Sequence, residues 1–191
     1  MSKARELLHY RTSFKFSPAV FKLVPMATTS LGTTLTVGGT GMLASATRWL
    51  VDRSERTILV SRSANQFTCD DARFVPVSAD WKHPSFVSLI GEAIKHLGPI
   101  QQALLWLHDP EAILPSLLPL LGTARVVLVL GSRQAQPAIP SDAAPFAIVR
   151  LGSVMTNSGR RWLTHDEISE GAIAALQDGQ SRIIGDIAGW Q

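Results

Sequence analysis

A glycine-rich turn is the part of this sequence whose residue types and spacing most clearly suit a chemical task. Residues 38–44 (Gly-Gly-Thr-Gly-Met-Leu-Ala) follow a short apolar stretch and open a segment with apolar residues at helical spacing. The free N–H groups of a helix N-terminus attract an anion, and glycine lets the backbone approach it closely. The turn therefore predicts a pyrophosphate site, the alternative being a tight turn that holds no ligand. The expected contacts are Gly38, Gly39, Thr40, Gly41, Met42 and Leu43.

The end of the second predicted strand indicates which dinucleotide would bind. An NAD site usually has an acidic residue there, which accepts hydrogen bonds from the adenosine ribose. This chain instead has Ser61, Arg62 and Ser63, about twenty residues beyond the glycines. A cation between two hydroxyl groups suits the 2′-phosphate of NADP(H), so we expect NADP(H) to be preferred over NAD(H). The alternative for Arg62 is an ordinary solvated charge at the end of a strand.

The elements that must position these residues alternate along the chain. Apolar strand-length runs predict strands at residues 34–37, 57–60, 74–77, 102–107, 125–130, 146–151 and 182–185. Helical spacing predicts helices over residues 42–53, 84–97 and 111–121, and a last one starting near Thr164. Strands that are apolar through their full width indicate a parallel sheet covered on both faces. The predicted fold is a Rossmann-type α/β domain, a single doubly wound parallel sheet spanning residues 33–191.

The charge distribution excludes one class of partner. Residues 1–25 carry five basic side chains against one acid, which leaves the remainder slightly negative despite the overall net charge of +3. A basic leader over residues 1–32, which we expect to be disordered, is therefore predicted rather than a nucleic-acid-binding domain. The leader could instead be an organelle-targeting transit segment, or translation could start at Met26.

The lengths of the apolar runs and the number of cysteines indicate the cellular compartment and exclude some kinds of site. No apolar run approaches the ~20 residues needed to span a bilayer, so no membrane partner is expected. Cys69 is the only cysteine, which excludes an internal disulfide, and no Cys/His cluster has zinc spacing, so no metal is predicted. A reducing compartment, the cytoplasm, is the natural expectation.

Taken together, residues 34–190 resemble the short-chain dehydrogenase/reductase superfamily. The stretch 36–44 is similar to a variant of its glycine motif, and residues 151–156 (Leu-Gly-Ser-Val-Met-Thr) are similar to its Pro-Gly-x-Val-x-Thr segment. The resemblance implies that Asp80 contacts the adenine and that residues 162–176 form a closing helix. It also implies cofactor contacts at Leu107 and His108, where the family has Asn-Ala-Gly, and nicotinamide contacts at Gly152, Val154 and Thr156.

The departures from this family concern its catalytic residues. Such enzymes protonate the substrate oxygen with a tyrosine whose pKa is lowered by a lysine four residues along the same helix. Here the only tyrosine is Tyr10, in the leader, and a short loop without lysine replaces that helix. Ser132 matches the family's serine, and His108 could donate a proton near neutral pH, so these two are the candidate catalytic residues. The alternative for His108 is a contact to the cofactor, and Asp109-Pro110 favours a helix N-cap.

Two functional hypotheses follow. The first is an NADP(H)-binding, short-chain dehydrogenase-like oxidoreductase with a non-standard proton donor and a small-molecule substrate. The second is a non-catalytic dinucleotide-sensing or regulatory binding module. The missing helix favours the sensor, whereas retention of the segment 152–156 favours the enzyme. A degenerate scaffold without cofactor is a third possibility, but it would leave Arg62 unexplained.

Overall fold

A computed structural model of the chain describes residues 30–140 and 145–187. Their elements, in chain order, are β1 (Thr33–Val37), α1 (Ala44–Arg53), β2 (Arg56–Ser61), a 3-10 turn (Ala64–Gln66), β3 (Phe74–Ser78), α2 (Phe86–Leu97), β4 (Ile100–Trp106), α3 (Pro110–Leu121), β5 (Arg125–Leu130), β6 (Phe146–Leu151), β7 (Ser153–Thr156), β8 (Gly159–Trp162), α4 (His165–Asp178) and β9 (Arg182–Ile184).

Seven strands form one parallel sheet in the order β3-β2-β1-β4-β5-β6-β9. The chain winds outward from β1 toward β3 and then returns to build the other half from β4. This order is that of a doubly wound Rossmann sheet, so the predicted fold class is confirmed. The boundaries of β5 and β6 agree with the prediction, because β5 is an uninterrupted apolar run from Val126 to Leu130 and β6 is apolar except for Arg150.

Helices cover both faces of this sheet. On one face, α1 and α4 pack with alternate side chains of the central strands, including Leu104 and Val127. On the other, α2 and α3 pack with the intervening side chains, including Leu105 and Val126. Strands buried on both sides are expected to be mostly apolar, as β5 is from Val126 to Leu130. None of the described helices is long and apolar enough to cross a bilayer.

Two boundaries near the glycine turn differ from prediction. Helix α1 begins at Ala44 and not at Met42, because residues 41–43 form a turn closed by a 2.9 Å hydrogen bond from Ala44 N to Gly41 O. The last residues assigned to the leader belong to the domain, since Leu31 packs against the α1/α4 core and donates its N–H to Arg53 O at 2.9 Å. Residues 1–29 of the predicted leader lie outside the described residues.

A β-hairpin stands where the resemblance implied the beginning of the closing helix. Residues 162–163 are not helical: β8 ends at Trp162, and it pairs with β7 as an antiparallel ribbon outside the main sheet. Gly159 begins β8 directly after the hairpin turn, with a φ of +117° that glycine adopts readily. Helix α4 starts at His165, with Thr164 as its N-cap in a complete capping box with Glu167, as the pattern near Thr164 predicted.

The hairpin is attached to α4 by a charged pair that makes stability depend on pH. Arg161 donates both guanidinium nitrogens to the Glu167 carboxylate, at 2.9 and 2.8 Å, and this lowers the Glu167 pKa from 4.5 to about 2. Because the Glu167 pKa is lower in the folded than in the unfolded protein, the ion pair stabilises the fold at pH values above the unfolded-state pKa. This stabilisation is lost as the pH falls toward the folded-state pKa. We expect Glu167→Gln to lower the Tm at pH 7, and the difference from the native protein to disappear as the pH falls from 4.5 to about 2. Thermal unfolding followed by circular dichroism measures the Tm of both proteins at each pH. A Tm difference independent of pH would contradict this role of the ion pair.

Candidate functional site

The carboxyl ends of β1 and β4 face the point where the chain changes winding direction, which is where doubly wound sheets bind ligands. A cavity of about 250 Å³ opens there. It runs between the glycine turn, the end of β2 and the residues that follow β3 and β4. The residues predicted from the sequence that line it are Gly38, Thr40, Gly41, Met42, Ser61, Arg62, Ser63, Leu107 and His108.

Gly38 is required by the geometry of the turn. Its φ is +73°, a conformation that side-chain-bearing residues rarely adopt, and an added Cβ would lie 2.7 Å from the Trp106 carbonyl oxygen. Its N–H donates to Val60 O at 2.9 Å, which fixes the end of β1 against β2. The glycine therefore lets three strand ends meet closely at the floor of the cavity.

Gly39 and Leu43 lie behind the turn and do not line the cavity. Gly39 is buried where α1 approaches β1, so that an added Cβ would collide with the hydroxyl groups of Thr36 and Thr47. Its carbonyl accepts a 2.9 Å hydrogen bond from Thr47 Oγ1. Leu43 is fully buried in the α1/α4 core. Both residues support the turn through packing, and the prediction that they contact a ligand stays a prediction.

The N-terminus of α1 is open to the cavity. No side chain caps this helix, and its first turn contains no acidic residue. Gly41 is exposed, and nothing lies within 4 Å of the Cβ that a side chain would add there. The first N–H groups of a helix need partners from outside it, and these donors carry partial positive charge. The turn thus offers room and hydrogen-bond donors for an anion.

At the end of β2, three polar residues border the same cavity. The Ser63 hydroxyl donates to Thr40 Oγ1 at 3.2 Å, which joins this strand end to the glycine turn. Ser63 N donates to Ser61 Oγ at 3.2 Å. Arg62 is exposed, and none of the ion pairs found within residues 30–140 and 145–187 includes it. Its guanidinium is therefore available to an anionic group beside the two serines.

The opposite wall of the cavity is aromatic. The rings of Trp81 and His108 stack with centroids 5.5 Å apart and an angle of 26° between their planes. The Trp106 ring meets the same imidazole edge-on at 6.3 Å. Asp80 does not line the cavity, and its carboxylate accepts a 3.0 Å hydrogen bond from Lys82 N. Asp109 caps α3 by accepting from Ala112 N at 3.1 Å, which confirms the N-cap interpretation.

A second cavity of about 370 Å³ lies on the β5/β6 side of the first and shares Met42 and Trp106 with it. Ser132 and Gly152 line it, whereas His108 lines only the first, so the two candidate catalytic residues are in different cavities. Gly152 is also enclosed by the backbone of Asp186, because an added Cβ would lie 2.5 Å from its carbonyl oxygen. Gly152 therefore has a packing role as well as lining the second cavity.

Two further residues of that segment do not line the second cavity. Val154 packs against the α1/α4 core from the hairpin. Thr156 is exposed at the hairpin turn, where its hydroxyl donates to Gly159 O at 2.7 Å. Their predicted contact with a nicotinamide stays a prediction, and neither lines the first or the second cavity.

Gln134 joins the two strand ends that carry the candidate catalytic residues. Its Nε2 donates to Leu107 O at 2.8 Å and to His108 O at 3.2 Å, and its Oε1 accepts from Gly131 N at 3.1 Å. Arg150 reinforces the loop by donating to Gly131 O at 3.3 Å and Gln134 O at 2.8 Å. The amide and guanidinium groups fix this part of the β5–β6 connection, whose described residues contain no helix.

Sequence reasoning missed several residues of the two cavities. Trp81 and Phe86 line the first, and Gln134 and Trp162 line the second. Trp81 follows Asp80 directly, so its position just past a strand end was a usable signal. Gln134 lies in a loop rich in Pro, Ala and Gln, a composition that gave no sign of a structural role.

No protein-family model and no curated protein matches the chain. Solved structures do match it. A short-chain dehydrogenase from Burkholderia cenocepacia in complex with NADP is 17% identical, covering 83% of this chain and 91% of that one, with a TM-score of 0.57. FolM alternative dihydrofolate reductase 1 from Brucella canis, complexed with NADP, is 13% identical, covering 84% and 96%, with a TM-score of 0.58. A short-chain dehydrogenase/reductase from Serratia marcescens is 13% identical, covering 82% and 96%, at 0.55.

These similarities show that the chain has the fold of the short-chain dehydrogenases/reductases, the family whose motifs its sequence resembles. The match extends over nearly the whole length of each of these proteins.

Proposed function

We propose that the chain binds NADP(H) at the glycine turn and acts as an oxidoreductase of the short-chain dehydrogenase type. The observation that carries this proposal is the turn itself. Gly38 brings the strand ends together at a positive φ, and the uncapped N-terminus of α1 opens onto a cavity that also contains Arg62. Donors at a helix N-terminus suit a pyrophosphate, and a cation one strand away suits a second phosphate.

The residues around the first cavity fit the adenosine half of NADP(H). A 2′-phosphate beside Arg62 would be within reach of the Ser61 and Ser63 hydroxyl groups. The adenine would then lie toward the apolar end of the cavity, whose walls include Val60, Ala79 and Trp81. Bases stack well on aromatic side chains, so the Trp81–His108 pair supports this orientation. Two of the structurally similar proteins were solved with NADP.

The second cavity suits the other half of the cofactor. It continues from the first past Met42 and Trp106, on the side to which a dinucleotide extending from Arg62 across the turn would point. When bound, the cofactor supplies a hydride to a substrate. Ser132 lines this cavity and can donate a hydrogen bond to a substrate oxygen. His108, in contrast, is better placed to contact the cofactor than to act on a substrate.

A non-catalytic dinucleotide sensor is the second candidate function. The described part of the β5–β6 connection contains no helix, and the family's catalytic tyrosine and lysine belong to a helix at that place. A sensor needs only the binding half of the site, which these residues would supply.

Calorimetric titration with NADPH, followed by a turnover assay, tests the proposal and separates these two candidates. We expect saturable 1:1 binding, and NADPH oxidation in the presence of at least one of a panel of aldehydes, ketones and quinones. Ser132→Ala should lower turnover by about tenfold or more while leaving NADPH affinity unchanged, because it removes one hydrogen bond to the reacting oxygen. Binding without turnover over the whole panel would favour the sensor, and absence of NADPH binding would overturn the proposal.

A further inference from the structure

Two carbonyl groups of the glycine turn are held by buried hydroxyl groups from different helices. Thr47, in the first turn of α1, donates from Oγ1 to Gly39 O at 2.9 Å. Ser169, in α4, donates from Oγ to Met42 O at 2.9 Å. Both side chains are buried in the core, and neither lines the first cavity. The turn is therefore fixed by donors that solvent and a bound ligand do not reach.

The hydrogen bond of Thr47 differs from the usual bond of a threonine in a helix. Such a hydroxyl commonly donates to a backbone carbonyl three or four residues earlier in the same helix. Thr47 instead donates to Gly39, eight residues earlier and outside the helix. Gly39 makes this approach possible, because an added Cβ would collide with the hydroxyl groups of Thr36 and Thr47. The glycine and the two threonines therefore form one buried group behind the turn.

The direction of each hydroxyl proton in this group follows from the contacts. A threonine hydroxyl has one proton to donate, and Thr47 uses it on the Gly39 carbonyl. Thr36 is therefore the donor in the 3.4 Å contact between Thr36 Oγ1 and Thr47 Oγ1. The Thr36 hydroxyl supports the orientation in which the Thr47 proton faces Gly39.

The orientation of the Gly39 carbonyl determines where the next N–H group points. A trans peptide group is planar, so the C=O of Gly39 and the N–H of Thr40 point in opposite directions. Because the carbonyl is directed to Thr47 in the core, the Thr40 N–H is directed away from the core. Thr40 lines the first cavity, and its N–H donates to no other group within residues 30–140 and 145–187. The buried hydroxyl thus presents a hydrogen-bond donor to the cavity.

The opposite orientation of this peptide would be unfavourable for an anion. Glycine has few steric restrictions, so the peptide that follows Gly39 can rotate at little cost when its carbonyl has no partner. Rotation would bring the Gly39 carbonyl oxygen to the cavity in place of the Thr40 N–H. The partial negative charge of that oxygen would repel a phosphate. The hydrogen bond from Thr47 therefore decides whether a donor or an acceptor faces the cavity.

We propose that Thr47 is a positioning residue of the cofactor site. Its hydroxyl orients the peptide between Gly39 and Thr40 so that the Thr40 N–H donates to the pyrophosphate of NADP(H). The inference rests on the proposed function, in which the pyrophosphate binds at the glycine turn. Thr47 does not line the first cavity, so it acts on the cofactor only through this peptide.

Thr47→Val removes the hydroxyl and keeps the branched shape of the side chain. We expect it to weaken NADPH binding, measured by calorimetry, about tenfold or more, because one hydrogen bond to a charged group is lost. Thr47→Ser retains the hydroxyl, and its NADPH affinity should stay within about threefold of native. A side chain that only filled space would give the reverse order, because serine loses volume and valine does not. Native NADPH affinity in Thr47→Val, or weaker binding by Thr47→Ser than by Thr47→Val, would overturn the proposal.

The matched control is Thr57→Val, which removes another fully buried threonine hydroxyl. Thr57 Oγ1 lies 3.0 Å from Thr34 Oγ1, near the amino ends of β2 and β1 and at the opposite edge of the sheet from the turn. We expect Thr57→Val to lower the free energy of unfolding, measured with urea, and to leave NADPH affinity unchanged. If Thr57→Val weakened NADPH binding as much as Thr47→Val does, the effect would come from reduced stability and the proposal would be overturned.

Nuclear magnetic resonance of the native protein provides a readout that needs neither a variant nor turnover. NADP⁺ is titrated into the isotope-labelled full-length protein, and the Thr40 amide proton should shift downfield because it donates to a phosphate oxygen. In Thr47→Val saturated with NADP⁺, the same shift should be smaller. Binding of NADP⁺ that leaves the Thr40 amide unshifted would overturn the inference alone. Absence of NADP⁺ binding by the native protein would overturn the proposed function and this inference with it.

Discussion

Gly38→Ala is expected to destabilise the protein by about 3 kcal/mol and to abolish detectable NADPH binding. The φ of +73° at this position is unfavourable for alanine, and its Cβ would lie 2.7 Å from the Trp106 carbonyl oxygen. The clash is removed only if the end of β1 moves away from β4, and the strain only if the backbone of the turn changes its conformation. Such a movement would displace the turn from the N-terminus of α1, where we propose that the pyrophosphate binds. Urea unfolding and NADPH titration measure the two effects.

Gly41→Val is the matched variant that separates binding from stability. Gly41 is not among the glycines with positive φ, and nothing lies within 4 Å of its added Cβ, so valine has room in the ligand-free protein. We expect a free energy of unfolding within about 0.5 kcal/mol of native. The same side chain would occupy the space proposed for the pyrophosphate, and NADPH affinity should fall about 30-fold or more, equivalent to about 2 kcal/mol. Native NADPH affinity in Gly41→Val would mean that the phosphates do not bind at this turn.

Arg62→Ala is expected to remove the preference for NADP(H). A hydrogen bond to a charged group contributes about 1.5–3 kcal/mol, so NADPH affinity should fall by about 10- to 150-fold. NADH lacks the 2′-phosphate, and its affinity should change little. The ratio of the two dissociation constants is therefore the informative quantity, and calorimetry or cofactor fluorescence measures it.

The control for this variant is Arg56→Ala. Arg56 begins the strand that ends just before Arg62, so the substitution removes the same charge from the opposite end of β2. This substitution should change the affinities for NADPH and NADH only slightly and by the same factor. If Arg56→Ala lowered NADPH affinity as much as Arg62→Ala does, the preference would come from overall charge and not from a contact.

Much of the fold was predictable because its strands are short, buried apolar runs. Residues 125–130 and 146–151 were placed correctly on that basis, and the start of α4 was placed correctly near Thr164. The hairpin was not predictable in the same way. All four residues of β8 are exposed, so its sequence carries no pattern of burial, and the resemblance to a family favoured a helix there.

The site could be predicted in part because the strand ends determine it. A turn between a strand and a helix, and the residues just past the second strand, must lie at the same edge of a parallel sheet, which brought Gly38 and Arg62 to one cavity. The sequence did not indicate which residues of the turn are buried behind it and which are open to the cavity. Gly39 has the same residue type as Gly41, yet one packs behind the turn and the other opens to the cavity. Contacts between distant segments, such as Gln134 with Leu107 and His108, also depend on tertiary structure.

The measurement that tests the central claim most directly is a parallel titration of the native protein and Arg62→Ala with NADPH and NADH at the same ionic strength. We expect saturable binding of NADPH by the native protein, NADH binding at least about tenfold weaker, and nearly equal affinities for the two in Arg62→Ala. Equal binding of NADPH and NADH by the native protein would contradict the NADP(H) preference. Binding of neither would contradict the dinucleotide site itself.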